Sequence, residues 1–406
     1  MESHQVRGGA GIHLRRLVLP VYLPMVLISI GIGAPAAAFP LYLGSLGSSI
    51  AGVGFIVSLS GVGNMLIDLP SGLILGRNPI RPVMIAGLAA SAATALGIAL
   101  TRNVTLIGFL TLLGGASRSI IITGMMTYVR LTVPPNLRGR ALSAVGGSSR
   151  VGLLIGPFVG GLISDKWGVP YAFGLQAVSL VLAALMLAGS PDRSMGVGIG
   201  TAPAKERPAD LVRGMSGRWS ALMTTGAGIL VLQLLRGART VILPLWGDSI
   251  GLSVTVIGAV MSAGAFMDLL LFMPAGQIMD RAGRKVAGSL CVGLFATGVA
   301  LLPITGGLAG FVVASVVIGL GNGFGSGINM TLGTDLAPTA AVSMFLGAWR
   351  LFGDIGAAAG PAIVGALTAV GGLTHSLSVT AAIGGGGLLI MMFLVPETLR
   401  IAEREE

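Results

Sequence analysis

Long apolar stretches recur along the whole chain, separated by short polar connections. Each stretch is long enough for a helix to cross a bilayer core about 30 Å thick. The first is too long for the core of a cleavable signal peptide and has no small-residue cleavage site, so we expect it to be retained. The pattern predicts an all-α membrane protein of twelve transmembrane helices, at residues 17–44, 51–75, 82–101, 105–129, 141–164, 171–189, 220–247, 253–278, 286–304, 308–334, 342–370 and 374–395.

A polar segment divides these spans into two sets of six. Residues 190–219 are rich in Pro, Gly and charge and show no apolar periodicity, so they are predicted to be a cytoplasmic linker. The second set repeats the first at a constant offset of 204 residues, as in Pro40/Pro244, Pro70/Pro274, Arg77/Arg281, Pro134/Pro338, Gly152/Gly356 and Pro157/Pro361. We therefore predict two homologous, pseudo-symmetric six-helix halves, 1–189 and 220–406, the second with a short cytoplasmic tail.

Composition excludes several classes of protein. The chain is 53% apolar and only 10% charged, with a mean hydropathy of +0.91, too little charge for the surface of a soluble domain. Its 66 glycines suit helices that pack closely in a membrane. Cys291 is the only cysteine and the three histidines are scattered, so we expect no disulfide, no metal site and no cofactor.

The net charge of +10 is placed in a way that predicts orientation rather than nucleic-acid binding. Eighteen Lys and Arg residues fall in the connections and termini on one side of the span map, whereas the opposite side has only Arg102 and Lys166. This asymmetry predicts that both termini are cytoplasmic and that the basic side contacts membrane lipids. We expect no nucleic-acid partner.

Two motifs resemble those of a known transporter family. Residues 276–285 read GQIMDRAGRK, which resembles the G-x-x-x-D-R-x-G-R-K signature of the major facilitator superfamily. The equivalent segment after the second span is degenerate, since Gly76 replaces the acid. The fifth span carries Gly152, Gly156, Pro157, Gly160 and Gly161, similar to the glycine–proline motif of the twelve-span drug–proton antiporters. The resemblance covers essentially the whole chain and implies the major facilitator fold.

Each motif allows two interpretations. Asp280, Arg281 and Arg284, with Arg77 in the first half, form a charge cluster that could join helix ends as a cytoplasmic latch or could only set topology. The glycine–proline run could be a hinge, because proline breaks the hydrogen-bond ladder, or could simply allow tight packing.

Eight ionisable residues fall at membrane depth, where charge is costly and usually functional. They are Asp68, Arg118, Arg150, Arg236, Arg239, Asp268, Arg350 and Asp354. Helical rise places Asp68 near Arg350, and Arg150 near Asp268, if span two faces span eleven and span five faces span eight as in the resembled fold. We expect two gating pairs between the halves that part when the cytoplasmic side opens, with pairing inside one half as the alternative.

The remaining arginines are candidate substrate ligands. Arg118, Arg236 and Arg239 have no obvious acidic partner, and the resemblance places their spans around the cavity, so an anionic substrate group is one interpretation. The other is that Asp248 or backbone carbonyls satisfy them. Members of the resembled family have an arginine in the fourth span. Arg118 does not align clearly with it, so the role of the family's arginine is not assigned to Arg118. Asn322 in span ten is included as a candidate substrate ligand.

The predicted function is transport rather than catalysis. Asp268, Asp354 and Asp68 are the candidates for proton coupling, because a carboxyl group in low dielectric can load and release a proton. We expect a monomeric, multi-pass protein of the bacterial inner membrane that binds a small-molecule substrate and protons. It would be a secondary transporter working by alternating access, exporting small organic molecules or drugs in exchange for protons. The alternative is a carrier of organic anions recognised by the cavity arginines.

Overall fold

The computed structural model describes residues 17–190, 219–338 and 342–398, and in these ranges it is helical without strands. The termini and most of the linker lie outside the described residues, together with the basic residues they carry. After a π-helical turn at Val18–Tyr22, the helices are α1 Leu23–Gly33, α2 Phe39–Ser45, α3 Ile50–Arg77, α4 Ile80–Leu100, α5 Val104–Thr132, α6 Pro135–Trp167, α7 Val169–Gly189, α8 Trp219–Ser249, α9 Val254–Ala282, α10 Arg284–Thr305, α11 Gly307–Phe324, α12 Ile328–Leu336 and α13 Val342–Leu389, followed by a π-helical turn at Ile390–Leu394.

Length and hydropathy confirm a helical membrane protein. In the part of the chain that the structure describes, ten helical segments are long and apolar enough to span a bilayer, and Val18–Gly33 is a shorter apolar segment. The longest helix, α13, contains Gly372 with a φ of 80°, which divides it into two. Counting both parts of α13 and the first segment would agree with twelve spans, a number that stays a prediction.

The repeat of 204 residues is visible in the helix ends. Ser49 and Ser253 each cap the N-terminus of their helix, α3 or α9, by accepting a hydrogen bond from a backbone N–H. Gly168 and Gly372 both have positive φ, a conformation that glycine adopts without steric cost, and each follows the fifth span of its half. Equivalent residues thus begin and end equivalent helices.

Two spans that we predicted as continuous are broken. The first is interrupted at residues 34–38, where Pro35 has no N–H to donate to a helical hydrogen bond. The tenth is interrupted at residues 325–327, where Gly327 has a φ of 81°. Their repeat mates, α8 and α5, are unbroken. Irregular backbone at membrane depth is tolerated where it faces a cavity or packs against protein.

Apolar packing groups the helices as the repeat predicts. One buried cluster lies within residues 222–395, with Ala37 added, and two others lie within residues 17–187. Between these groups, α3 packs against α13 and α6 packs against α9. The boundaries of the two halves remain a prediction, but these two interfaces decide where a central site can lie.

Candidate functional site: a charged cavity between the halves

The two interfaces are closed at one end of the bundle. Gly54 of α3 lies against the carbonyl oxygen of Pro361, and its repeat mate Gly258 of α9 lies against that of Pro157. At the same end, the Asp165 carboxylate accepts hydrogen bonds from the backbone N–H groups of Val254 (3.2 Å) and Thr255 (2.8 Å). Side chains larger than glycine would not fit at these crossings, so the helices pack here at backbone contact.

The same interfaces are open at the other end of the bundle. We call it the basic end, because Arg77 is the last residue of α3 and Arg281 is the residue before the last of α9. Gly72 and Gly276 lie 18 residues beyond Gly54 and Gly258, which is five helical turns, about 27 Å, on the same helix face. No described atom of another helix lies within 4 Å of the Cβ position of Gly72 or Gly276. The helices therefore diverge toward the basic end, which the charge asymmetry predicts to be cytoplasmic.

A cavity of about 480 Å³ lies between the halves. It is lined by α3, α5, α6, α8, α9, α13 and the break between α11 and α12. Its charged lining residues are four arginines and two aspartates: Arg118, Arg150, Arg236, Arg239, Asp268 and Asp354. All six were predicted at membrane depth, and the structure brings them together around one space.

Arg150 and Asp268 form an ion pair across the α6–α9 interface, with Nε 3.2 Å from Oδ1. The Asp268 carboxylate also accepts a hydrogen bond from Nδ2 of Asn322 at 2.7 Å. The guanidinium donates to Oγ of Ser326 at 2.8 Å and lies 4.3 Å from the ring centre of Phe272. Both charges are mostly buried, with side-chain exposures of 19% and 11%, so the pair joins the two halves inside the bundle.

A second charged cluster crosses the α3–α13 interface. Nη2 of Arg350 lies 3.0 Å from Oδ2 of Asp68, close enough for an ion pair although not aligned as a hydrogen bond. Ser119 donates a hydrogen bond to the other oxygen of Asp68. Asp354 lies four residues after Arg350 on α13 and lines the central cavity, and its Oδ2 has no hydrogen-bond partner among the described residues.

The repeat relates these two clusters. Arg150 is the mate of Asp354, and Asp268 is the mate of Asn64, which lines the same cavity. The pair Arg150–Asp268 thus corresponds to Asp354 and Asn64 at the other interface, with the cation replaced by an acid and the acid by an amide. Both predicted pairs are formed while the basic end is open, so they do not hold that end together in this state. Their gating role stays a prediction.

The three remaining arginines differ in their surroundings. Arg236 donates to Oδ1 of Asn322 (2.7 Å), to Oε1 of Gln233 (3.0 Å) and to the carbonyl oxygen of Gly325 (3.1 Å). Amide and carbonyl oxygens thus satisfy this guanidinium, which is the alternative to a substrate anion, and Asp248 is not among its partners. Arg118 and Arg239 have no hydrogen bond or ion pair with any residue that the structure describes.

The charged motif at the basic end makes its contacts inside the second half. Arg284 donates from Nε to Oδ2 of Asp335 at 3.0 Å, and Nη1 lies 3.7 Å from the exposed carboxylate of Asp280. Glu397 accepts hydrogen bonds from the backbone N–H groups of Arg284 and Lys285. Arg77 and Arg281 make no ion pair within the described ranges. Among the described residues, this motif therefore forms no latch between the halves in this open state.

Sequence reasoning missed two carboxylates of this network. Asp335 and Glu397 were not singled out, although the whole chain has only 15 Asp and Glu residues, and an acid next to a predicted membrane end was the available signal. Gly283 of the motif has a φ of 98°, and a Cβ there would overlap the Glu397 carboxylate, so glycine is required at this corner.

The glycine–proline motif of α6 is a packing surface. Gly152, Gly156 and Gly160 lie against the backbone of α1 and the break that follows it, and Gly161 lies against Val254 of the other half. The helix continues without interruption through Pro157. The geometry shows close packing, and a hinge role remains a prediction.

A helical membrane protein built from two repeated halves around a charged cavity is the architecture of many transporters, and comparison with known families agrees. The profile described as Major Facilitator Superfamily matches residues 21–233 and 225–406. The chain belongs to this superfamily.

Two curated relatives are similar to part of the chain. The "Multi-drug resistance efflux pump PmrA" of Streptococcus pneumoniae is 27% identical over 170 residues, which cover 42% of this chain and 39% of that protein. The "Quinolone resistance protein NorA" of Staphylococcus aureus is 20% identical over 183 residues, covering 45% and 47%. The similarity therefore spans less than half the length of either relative.

Solved structures share the fold at low identity. A POT family transporter in complex with a thioalcohol-conjugated peptide has a TM-score of 0.77 at 13% identity, covering 95% of each chain. A bacterial homologue of the human lysosomal transporter Spinster, in an inward-facing and unoccupied conformation, has a TM-score of 0.76 at 12% identity, covering 98% of each chain. At these identities the likeness shows the fold alone.

Proposed function

We propose that this protein is a secondary active transporter that moves small organic molecules by alternating access. The observation that carries the proposal is the charged cavity between the repeated halves, closed at the Asp165 end and open at the basic end. Closing Gly72 and Gly276 against the opposite half while Gly54 and Gly258 separate would open the cavity to the other side. The repeat makes the two states geometrically equivalent.

Protons are the coupling ion in this proposal. Asp68, Asp268 and Asp354 all lie at or beside the cavity, and the first two each pair with an arginine across an interface that would change when the halves move. Asp68 lies one helical turn from Gly72, so closure there would change its contact with Arg350, and the tilt of α9 against α6 would change the contact of Arg150 with Asp268. A carboxylate that loses its cation in a low dielectric binds a proton more readily. Movement of the halves thereby changes proton affinity.

Export is the direction that the relatives favour. PmrA is described as an efflux pump and NorA as a resistance protein, and we extend that direction to this chain. The protein would act as a transporter and not as an enzyme. It would be a monomer in the bacterial inner membrane, with both termini in the cytoplasm and its basic end in contact with lipids.

A carrier of organic anions is the second candidate, and one observation favours it. Arg118 and Arg239 line the cavity without a partner among the described residues, and arginine fits carboxylate and phosphate groups well. The candidates differ in how protons are linked to substrate. A bound cation disfavours a proton on a neighbouring carboxylate, which supports exchange, whereas a bound anion favours that proton, which supports movement in the same direction.

The test is transport by the purified protein in proteoliposomes with an imposed pH gradient and a pH-sensitive dye inside. Ethidium serves as a lipophilic cation and benzoate as an organic anion. We expect substrate flux to be accompanied by proton flux. Asp268→Asn should uncouple substrate flux from proton flux, whereas the exposed control Arg102→Gln should keep them coupled. Flux of neither solute by folded protein would refute transport of these classes. Flux that ignores the pH gradient would refute proton coupling.

A further inference from the structure

A second, smaller cavity lies inside the first half and touches the central one. It has a volume of about 170 Å³ and is lined by residues of α1, α2, α3, α4, α5 and α7. Its walls are mainly apolar, including Ile28, Phe39 and Ile98. It shares three lining residues with the central cavity, namely Val57, Ser60 and Arg118. We call it the side cavity.

Arg118 stands between the two spaces. It lies in the middle of α5, it is exposed, and it lines both cavities. A cavity solvates charge less well than bulk water does, so a guanidinium that lines one without an ion-pair partner among the described residues favours an anion there. Arg239, on α8, lines the central cavity and makes no hydrogen bond or ion pair with a described residue, although the charges of Asp268 and Arg236 act on it. Two cations without an ion-pair partner among the described residues therefore border the central cavity.

A ligand with an anionic group would supply such a partner. Carboxylate oxygens accept charge-assisted hydrogen bonds from arginine, often in pairs. The side cavity supplies the complementary property, because an apolar cavity of about 150 Å³ in another protein admits benzene. The side cavity is of similar size, so an aryl ring or a short alkyl chain would fit there while a carboxylate stays at Arg118.

We propose that the protein binds organic monoanions that carry one carboxylate and one aryl or short alkyl group. The carboxylate lies against Arg118, beside the central cavity that Arg239 also lines, and the apolar group enters the side cavity. The proposal rests on the transport function proposed above and specifies its substrate class. It explains why Arg118 is shared by a charged cavity and an apolar one.

The binding experiment uses the full-length protein in detergent and a matched series of probes. These are acetate, phenylacetate, 4-phenylbutyrate, the cation 2-phenylethylamine and the neutral 2-phenylacetamide. We expect phenylacetate to bind at least tenfold more tightly than acetate, since each buried CH₂ contributes about fourfold. The amine and the amide should bind at least tenfold more weakly than phenylacetate. Equal affinity for phenylacetate and its amine would overturn the proposal.

Variants separate the two parts of the site. Arg118→Gln should lower the binding affinity for phenylacetate and for acetate by a similar factor, about tenfold or more. The melting temperature of the ligand-free protein should not fall. Ala95→Leu narrows the side cavity and should weaken phenylacetate to the level of acetate, while acetate binding is retained and reports that the variant is folded. The control is Ala93→Leu, an exposed position on the same helix. If Ala95→Leu does not fold, Ile98→Ala enlarges the side cavity and should shift preference toward 4-phenylbutyrate.

The outcomes distinguish this inference from the transport function. If other solutes are transported in proteoliposomes but no anion in the series binds, the substrate class is wrong and the transport function stands. Anions that bind without any flux would support the site and refute transport. If Ala95→Leu lowers the affinities for acetate and phenylacetate by the same factor, the role of the side cavity is refuted.

Discussion

The ion pair between Arg150 and Asp268 is predicted to stabilise the contact between the halves in this state. The two groups are 3.2 Å apart with 19% and 11% of their side chains exposed, so solvent screens them only partly. At an effective dielectric constant of about 20, their attraction is about 5 kcal/mol. Burial of both charges offsets much of this, but removal of one partner leaves the other uncompensated and costs about 3–5 kcal/mol.

A double-mutant cycle measures the interaction. Arg150→Gln and Asp268→Asn should each lower the melting temperature in detergent by about 4–6 °C, taking an unfolding entropy of ~2.1 cal/mol/K per residue for a chain of 406 residues. The double variant should lose less stability than the two single variants lose together, because neither charge is left without its partner. We expect a coupling energy of at least about 1.5 kcal/mol. Arg102→Gln, exposed and without a partner among the described residues, is the control and should change little.

Additivity would refute this reasoning. If the double variant loses the sum of the two single effects within about 0.5 kcal/mol, the two groups do not interact measurably. The contact would then be geometric proximity, and closure at the Asp165 end would depend on the glycine crossings.

Three further predictions concern the motion and the basic end. Gly276→Trp should abolish transport while leaving ligand binding from the open side intact, because Gly276 faces open space here; full transport would contradict the closure we propose. Gly258→Ala should destabilise this state by about 1–3 kcal/mol, because its Cβ would overlap the Pro157 carbonyl. The expected result is a lower melting temperature. An unchanged melting temperature would show that the helix crossing relaxes freely. Asp335→Asn should cost about 1.5–3 kcal/mol, because it removes the carboxylate from the mostly buried guanidinium of Arg284; the same loss in the exposed control Asp280→Asn would show that Asp335 has no special role.

Much of the fold could be predicted from the order of residues. Apolar stretches predict spans because the bilayer requires them, and the offset of 204 residues predicts equivalent helices because homologous segments fold alike. The breaks in the first and tenth spans were not predicted, although Pro35 and Gly327 stand where they occur. Proline and glycine are also common inside unbroken membrane helices, as Pro157 shows, and packing decides which of them interrupts the helix.

For the candidate site, the sequence determined which charges lie at membrane depth, and helical rise with the family's arrangement placed Asp68 near Arg350 and Arg150 near Asp268. Only the tertiary structure decided that amide and carbonyl oxygens satisfy Arg236 while Arg118 and Arg239 keep no partner in the described chain. It alone showed that the basic end is open with both pairs intact, and that a side cavity adjoins Arg118. The physical reason is that depth is set by distance along one helix, which the sequence contains. Partners and cavities depend on how different helices face one another, which is decided by packing across the whole bundle.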